Sequence, residues 1–210
     1  MSLQFLGELL LLFPPFLMAV VCHEVSHGFV AERLGDPTAR QAGRLTLNPL
    51  RHVDPFGTIL LPLLLRLVHS PFVFGWAKPV PVNYSNLRHP KRDMFWIGAA
   101  GPAANFLLAG AAAGLLKIGG SSIPALAGVL LQYFAAINLV LGTFNLLPVP
   151  PLDGSRVLAG LLPPRWAVAV LLLERWGILI LIALMYSGVI DRVLWPVVSR
   201  LAQLLGLPAS

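Results

Sequence analysis

Two histidines and a glutamate lie close together in the stretch VVCHEVSHGF, Val20 to Phe29, within an otherwise apolar run. His23 and His27 are four residues apart, so on an α-helix their side chains project from one face, one turn apart. Two imidazoles in this arrangement can bind one metal ion. Glu24 is displaced around the helix, which suits a carboxylate that contacts a water on the metal rather than the metal itself. The pattern therefore indicates a zinc hydrolase.

A structural interpretation of the same three residues has to be weighed against this one. In that interpretation the histidines are hydrogen-bonded within a helix bundle and the glutamate pairs with an arginine. Each ionisable side chain in hydrocarbon costs about 2.5 kcal/mol or more. Three such costs in one short stretch need compensation, which favours the metal site.

A catalytic zinc site also needs a third protein ligand and an open position for water. Asp153, in the segment NLLPVPPLDG, follows a long uncharged run, and the prolines before it end the helix so that its carboxylate can turn inward. The alternative role for Asp153 is an Asx-turn before Gly154. Other candidates for the third ligand lie in more polar surroundings, where roles in solvated loops are favoured: His52, Asp54, His69, His89 and Asp93.

The composition indicates an integral membrane protein. Hydrophobic residues make up 57% of the 210 residues and charged residues only 11%, with a mean hydropathy of +0.78, far from the make-up of a soluble domain. The net charge of +6 comes from scattered Lys and Arg, which indicates topology and contact with anionic lipid rather than nucleic-acid binding. The single cysteine, Cys22, excludes an internal disulfide, and the start of the chain has no basic region typical of a signal peptide.

The hydrophobic runs predict an α-helical integral membrane protein with about four transmembrane helices and a single domain over residues 1–210. The first helix carries the two histidines, and its first apolar segment is expected to be retained. We predict helix one at 5–33, helix two at 94–116, helix three at 125–147, helix four at 166–190, and an interfacial C-terminal helix at 192–206.

The region between helices one and two, residues 36–90, is predicted to be a polar loop with strand content. Gly43 to Pro49 alternates in polarity like a short strand, and Trp76 to Asn83 contains two prolines that restrict it to an edge strand. Thr58 to Val68 is apolar but too short to cross about 30 Å of hydrocarbon. Because basic residues flank it on both sides, we expect it to enter the membrane and return. The alternative is a short, tilted spanning helix.

Three segments of the chain resemble the site-2 protease family of intramembrane zinc metalloproteases. They are HEVSH at His23 to His27, GPAAN at Gly101 to Asn105, and NLLPVPPLDG at Asn145 to Gly154, in the family's order. The resemblance implies a three-helix catalytic core and a membrane-associated β structure between helices one and two that receives the substrate. It also implies a minimal member, without room for a PDZ or CBS domain.

The resemblance also implies roles for individual residues. His23, His27 and Asp153 would bind one zinc ion, and Glu24 would be the general base and acid. Asn145 matches an asparagine that steadies the substrate or the oxyanion. Two sets of further residues are predicted to contact the substrate: Asn105 and Asn138 near the site, and Gly43, Trp76 and Val80 in the two extended segments. For Asn138, a hydrogen bond that packs two helices is an equal alternative.

The predicted function is hydrolysis of peptide bonds in or near transmembrane segments of membrane proteins, as regulated intramembrane proteolysis. The expected partners are a transmembrane substrate and the lipid bilayer, with no nucleic acid. Basic Arg33, Arg40 and Arg44 around the end of helix one place the zinc site toward the cytoplasmic side of a cell (inner) membrane. A metal-ion transporter or binding protein is the alternative, disfavoured because the sequence shows no repeated halves. An inactive protease-like scaffold is disfavoured because all four catalytic positions are intact.

Overall fold

The computed structural model describes residues 3–68 and 77–208, and within these residues the regular structure is helical, with no strand. Short 3-10 and π-helical turns connect or extend the α-helices. The α-helices are α1 (Leu3–Arg33), α2 (Thr38–Gln41), α3 (Leu61–Leu67), α4 (Pro90–Gly119), α5 (Ala125–Asn145), α6 (Asp153–Leu161), α7 (Pro164–Leu172), α8 (Gly177–Tyr186) and α9 (Val189–Leu204).

Three helical segments of the described chain are long and apolar enough to cross a membrane: Pro90–Ser122, Ala125–Asn145 and Pro164–Tyr186. The third consists of α7, the 3-10 turn Leu173–Trp176 and α8. These segments overlap the predicted helices two (94–116), three (125–147) and four (166–190), with ends that differ by up to six residues. Helix α1 has 31 residues and extends for about 46 Å, and its crossing stays a prediction.

Helix α4 lies at the centre of the bundle, where it contacts α1, α5 and α6. Small buried residues make this close packing possible, because they let helix backbones approach one another: Gly98, Gly101, Ala109, Ala112 and Ala113. Helix α9 packs against α5 through a stripe at every fourth position, Ile190, Leu194, Val198 and Ala202. The interfacial position predicted for this C-terminal helix remains a prediction.

The two predicted strands between α1 and α4 are not confirmed. Residues 43–48 are irregular backbone that leads into the 3-10 turn Pro49–Arg51, and residues 77–83 have no regular secondary structure and no partner strand in the described chain. Trp76 lies outside the described residues. We refer to residues 77–83 as the strap.

Side chains and a single carbonyl take the place of a partner strand along the strap. Its prolines have no N–H to donate, and the N–H of Lys78 donates to the carbonyl of His52 at 2.9 Å. The carbonyl of Lys78 accepts from the Arg44 guanidinium at 2.6 Å. The N–H of Asn83 donates to the carboxylate of Asp36 at 2.7 Å. These contacts use hydrogen-bonding groups of the strap that an edge strand would need for its partner, so the predicted edge strand does not form here.

The apolar segment before the strap forms one short helix. The π-helical turn Pro55–Leu60 continues directly into α3, and Asp54 caps it by accepting from the N–H groups of Phe56 at 3.1 Å and Gly57 at 2.6 Å. Its length of about 20 Å is less than the thickness of the hydrocarbon layer. The entry of this helix into the membrane and its return stay a prediction.

Asp36 joins the end of α1 to the strap and to α2. Its buried carboxylate accepts hydrogen bonds from the Thr38 hydroxyl, from Asn86 Nδ2 at 2.8 Å, and from the backbone N–H groups of Asn83 at 2.7 Å and Thr38 at 3.2 Å. Burial raises the pKa of Asp36, but these hydrogen bonds outweigh it and hold the pKa below its ordinary value of 3.8. The folded protein therefore binds a proton at this site less readily than the unfolded chain does.

We expect Asp36 to stabilise the fold above about pH 4 and to lose this contribution as the pH falls. Asp36→Asn places an amide against the donors, so the free energy of unfolding should decrease by about 1–3 kcal/mol at neutral pH. Thermal unfolding in detergent, followed between about pH 3 and pH 7, should show a weaker pH dependence for this variant than for wild type. Asp191→Asn, an exposed change, is the control, and identical pH profiles for wild type and Asp36→Asn would contradict the prediction.

Candidate metal centre

The structure brings three predicted ligands together: His23 and His27 of α1, and Asp153, the first residue of α6. The Asp153 Oδ2 atom lies 3.0 Å from His23 Nε2 and 3.1 Å from His27 Nε2, and the two Nε2 atoms are 3.1 Å apart. All three residues are buried. Two nitrogen atoms and one carboxylate oxygen thus converge on one point.

The turn between α5 and α6 determines where Asp153 lies. A Cβ atom at Gly154 would be 2.2 Å from the carbonyl oxygen of Leu146 and 2.4 Å from that of Leu147. Only glycine permits the first turn of α6 to pack this closely on the end of α5. The glycine of the LDG segment therefore positions the carboxylate beside it.

Gly101 of α4 forms the wall behind the two histidines. A Cβ atom at this position would lie 2.4 Å from His27 Nε2 and 2.7 Å from His23 Nε2, well inside van der Waals contact. Sequence reasoning did not assign Gly101 a role, although the GPAAN segment that begins with it was recognised. The requirement for glycine arises from the close approach of α1 and α4, which the sequence does not show.

Each imidazole is also held on the side away from Asp153. The Nδ1 atom of His23 lies 2.6 Å from Asn105 Oδ1, and the Nδ1 atom of His27 lies 2.6 Å from the carbonyl oxygen of Ile97. A carbonyl oxygen only accepts, so the proton of each ring is on Nδ1 and the Nε2 lone pair is free to bind a metal.

Glu24 lies between the histidines and the strap. Its half-buried carboxylate accepts a hydrogen bond from the backbone N–H of Val80 at 2.9 Å. The Val80 side chain is buried against Gly28, where an added Cβ would be 2.6 Å from Val80 Cγ1. Of the residues predicted to contact substrate in the extended segments, Val80 therefore adjoins the site. Gly43, at a φ of +63°, has no atom within 4 Å of an added Cβ and ends the turn after α2.

The remaining predicted residues have other partners. The Asn145 amide donates to the carbonyl of Leu141 in its own helix at 3.0 Å, and Asn105 and Asn138 are fully buried. Among the alternative third ligands, His52 contacts the carbonyl of Thr46, Asp54 caps the π-helical turn and Asp93 accepts from the N–H of His89. His69 is outside the described residues. In the part of the chain the structure describes, the group able to hold a metal is His23, His27 and Asp153.

The donor set fits zinc. Tetrahedral zinc with bonds of about 2.0–2.1 Å separates its ligand atoms by about 3.3 Å, close to the 3.0–3.1 Å between these donors. Two imidazoles and one carboxylate leave a fourth position for water or substrate, as catalytic zinc sites require. The site can therefore support hydrolysis.

Comparison with known proteins gives the same assignment. Residues 120–184 match the model of peptidase family M50. The chain is 38% identical over 190 residues to YwhC of Bacillus subtilis strain 168, named as a zinc metalloprotease, covering 87% of this chain and 83% of that protein. It is 30% identical over 190 residues to Rip2 of Mycolicibacterium smegmatis, also named as a zinc metalloprotease, covering 90% of this chain and 72% of that protein.

A third relative is Rip2 of Mycobacterium tuberculosis H37Rv, 27% identical over 205 residues that cover 98% of this chain and 78% of that protein. No solved structure matches the chain. The similarity to YwhC extends over most of both proteins, and the donor set fits the metal in the relatives' names. The chain belongs to peptidase family M50 and is a membrane-embedded zinc metalloprotease.

Proposed function

We propose that this zinc metalloprotease hydrolyses peptide bonds in or near transmembrane segments of other membrane proteins. The observation that carries the proposal is the position of the ligand group against α4, one of the segments able to cross a membrane. Gly101, which contacts both histidines, is about 16 Å along the axis of α4 from Pro90. This position, within a segment able to cross a membrane, favours a substrate that is itself embedded in the membrane.

The residues around the site divide the chemistry between them. When bound, zinc polarises a peptide carbonyl and makes water a stronger acid, and His23, His27 and Asp153 would hold one zinc ion per chain. Glu24 takes the proton of the attacking water and passes it to the leaving amine. The Asn145 amide donates to the carbonyl oxygen as that atom gains negative charge, through the N–H that does not contact Leu141.

A transmembrane substrate has to unwind before it can be cut, because a helix keeps its carbonyls in internal hydrogen bonds. The unwound backbone needs new partners, since each unsatisfied polar group in lipid costs several kcal/mol. Addition of the substrate to an extended segment supplies them. The strap with its neighbour Trp76, and the irregular segment from Gly43, are the candidates. The strap is favoured because Val80 lies directly beside Glu24.

The orientation follows from charge at the end of α1. Arg33 is in its last turn, and Arg40 and Arg44 follow in the next segment. Basic residues flank membrane helices on the cytoplasmic side. The zinc site would then open toward the cytoplasm of a cell (inner) membrane, with α1 as a fourth crossing and an outside N-terminus. A reporter that works only in the cytoplasm can be fused to the N-terminus. Activity of this fusion would overturn the orientation.

Metal removal tests the activity directly. We expect purified wild type to cleave a transmembrane peptide in detergent or lipid. A zinc chelator should abolish cleavage, and about one equivalent of zinc should restore it. Mass spectrometry of the products locates the cut within the hydrophobic segment.

Two controls sharpen this experiment. A soluble peptide with the same residues around the cut tests the requirement for a membrane segment, and zinc flux into protein-containing vesicles tests transport. Zinc-loaded protein that cleaves only the soluble peptide would contradict the proposed substrate class. Zinc flux without any cleavage would contradict proteolysis of membrane segments altogether.

A further inference from the structure

Asn105 of α4 and Asn138 of α5 lie behind His23, on the side of the ring that faces away from Asp153. Both are fully buried, with 0% of their surface exposed. Asn105 Oδ1 is 2.6 Å from His23 Nδ1, and Asn105 Nδ2 is 2.8 Å from Asn138 Oδ1. A fully buried amide whose atoms already contact other protein groups has no free surface for a substrate.

Two backbone carbonyls determine the direction of each hydrogen bond in this series. The Phe134 carbonyl accepts from Asn138 Nδ2 at 2.8 Å, and the Ala19 carbonyl accepts from Asn105 Nδ2 at 3.3 Å. Because a carbonyl can only accept, each amide turns its nitrogen toward a carbonyl. Asn138 therefore presents its oxygen to Asn105, and Asn105 presents its oxygen to His23.

We propose that Asn105 and Asn138 are positioning residues that hold His23 with its proton on Nδ1 and its Nε2 lone pair directed at the metal. The inference rests on the proposed role of His23 as a zinc ligand. Asn105 acts through its contact with His23, and Asn138 acts through Asn105. In this role the two asparagines support zinc binding instead of the substrate contact expected from the sequence.

Asn138 is needed to fix the orientation of the Asn105 amide. A side-chain amide can flip, whereas the backbone carbonyl behind His27 cannot. His27 contacts the Ile97 carbonyl directly. Because this carbonyl can only accept, the proton of the His27 ring stays on Nδ1. A flipped Asn105 would present an NH₂ group to His23 and draw the ring proton to Nε2, where it blocks the metal. The flip would also set the Asn105 oxygen against two acceptors, those of Asn138 and Ala19. Asn138 thus opposes the flip.

The zinc affinity of the metal-free protein, measured by competition with a chelator, tests the proposal without any substrate. Asn105→Leu removes the acceptor at similar volume and should weaken zinc binding by about 10–100-fold, the usual effect of losing a partner of a ligating histidine. Asn105→Asp keeps an acceptor oxygen for His23 but sets its second oxygen against the acceptors of Asn138 and Ala19, so its loss of zinc affinity should be clearly smaller than that of Asn105→Leu. Asn138→Leu should weaken binding in the same direction but less.

A matched control comes from the same helix as Asn138. Thr143 of α5 is buried, and its hydroxyl has no hydrogen-bond partner among the described residues. Thr143→Val should leave the zinc affinity unchanged. The visible spectrum of the cobalt-substituted protein is a second readout. It should change in Asn138→Leu if the orientation of His23 changes, whereas a role in packing alone leaves it as in wild type.

Each outcome decides the proposal. Wild-type zinc affinity in Asn105→Leu, or equal losses in Asn105→Leu and Asn105→Asp, would overturn it. If Asn105→Leu does not fold, Asn138→Leu is the deciding variant. Weaker zinc binding together with a changed cobalt spectrum in Asn138→Leu supports the proposal. Wild-type zinc affinity and a wild-type spectrum contradict it. A wild-type protein that binds zinc but cleaves no transmembrane peptide would contradict the proposed function alone.

Discussion

Gly101→Ala should abolish zinc binding while the protein remains folded. The added methyl group would lie 2.4 Å from His27 Nε2 and 2.7 Å from His23 Nε2, so both ligand atoms have to move. Because neither ring can move without losing its contact to Asn105 or Ile97, we expect a loss of zinc affinity of about 100-fold or more, beyond the effect of losing one supporting hydrogen bond. Bound zinc, measured by mass spectrometry of the purified protein, should fall well below one equivalent, and cleavage should disappear with it.

Gly110→Ala is the matched control for this substitution. Gly110 is on the same helix, and an added Cβ there has no heavy atom within 4 Å. Both changes bring the same gain in helix propensity, about 1 kcal/mol, so circular dichroism and thermal unfolding should show intact helices in both. Only Gly101→Ala should lose zinc. A Gly101→Ala protein that retains a full equivalent of zinc would show that α1 and α4 do not approach as the structure has them.

Glu24→Gln should reduce cleavage by about 10²–10⁴-fold, the range for loss of a general base, with zinc content unchanged. Glutamine keeps the size of the side chain and an oxygen able to accept from the N–H of Val80, so the substitution removes the proton acceptor and leaves the contact. The rate is measured with a transmembrane peptide under saturating zinc. The zinc stoichiometry is measured on the same sample.

The control for Glu24→Gln is Glu32→Gln. Glu32 lies two turns further along α1, and its carboxylate pairs with Arg40 instead of facing the histidines. The control should cleave at close to the wild-type rate. Equal activity of Glu24→Gln and wild type would exclude Glu24 as the base, and loss of zinc from Glu24→Gln would assign it to the metal site instead.

The three residues of the group able to hold a metal could be named from the sequence because each carries a local signal. The spacing of His23 and His27 determines their common helix face, and the prolines before Asp153 end the preceding helix near the carboxylate. Helix α6, which begins at Asp153, was not predicted, because the short segment after it has no long apolar run. Helix α5 begins at Ala125, directly after Pro124 as predicted, whereas α4 begins at Pro90, four residues before the predicted start at 94.

The remaining features of the site depend on which elements meet in three dimensions. The need for glycine at 101 and the burial of Asn138 follow from contacts between α1, α4 and α5, which no single segment encodes. The predicted strands illustrate the same limit. Alternation at Gly43 to Pro49 and prolines in the strap are compatible with strands, but a sheet needs a partner. In the described chain the strap's donors reach His52, Glu24 and Asp36 instead.

The hydrogen bond from Val80 to Glu24 bears on how such an enzyme avoids harming its own membrane. A hydrolytic site among transmembrane helices is surrounded at all times by peptide bonds of unrelated proteins. The N–H of Val80 in the strap already engages one lone pair of the Glu24 carboxylate, and if this contact has to open before the base can act, proteolysis of bystanders would be suppressed. A segment that competes for the strap backbone would free the base at the moment it delivers its own bond. Selectivity would then depend on how readily a helix unravels as much as on its sequence.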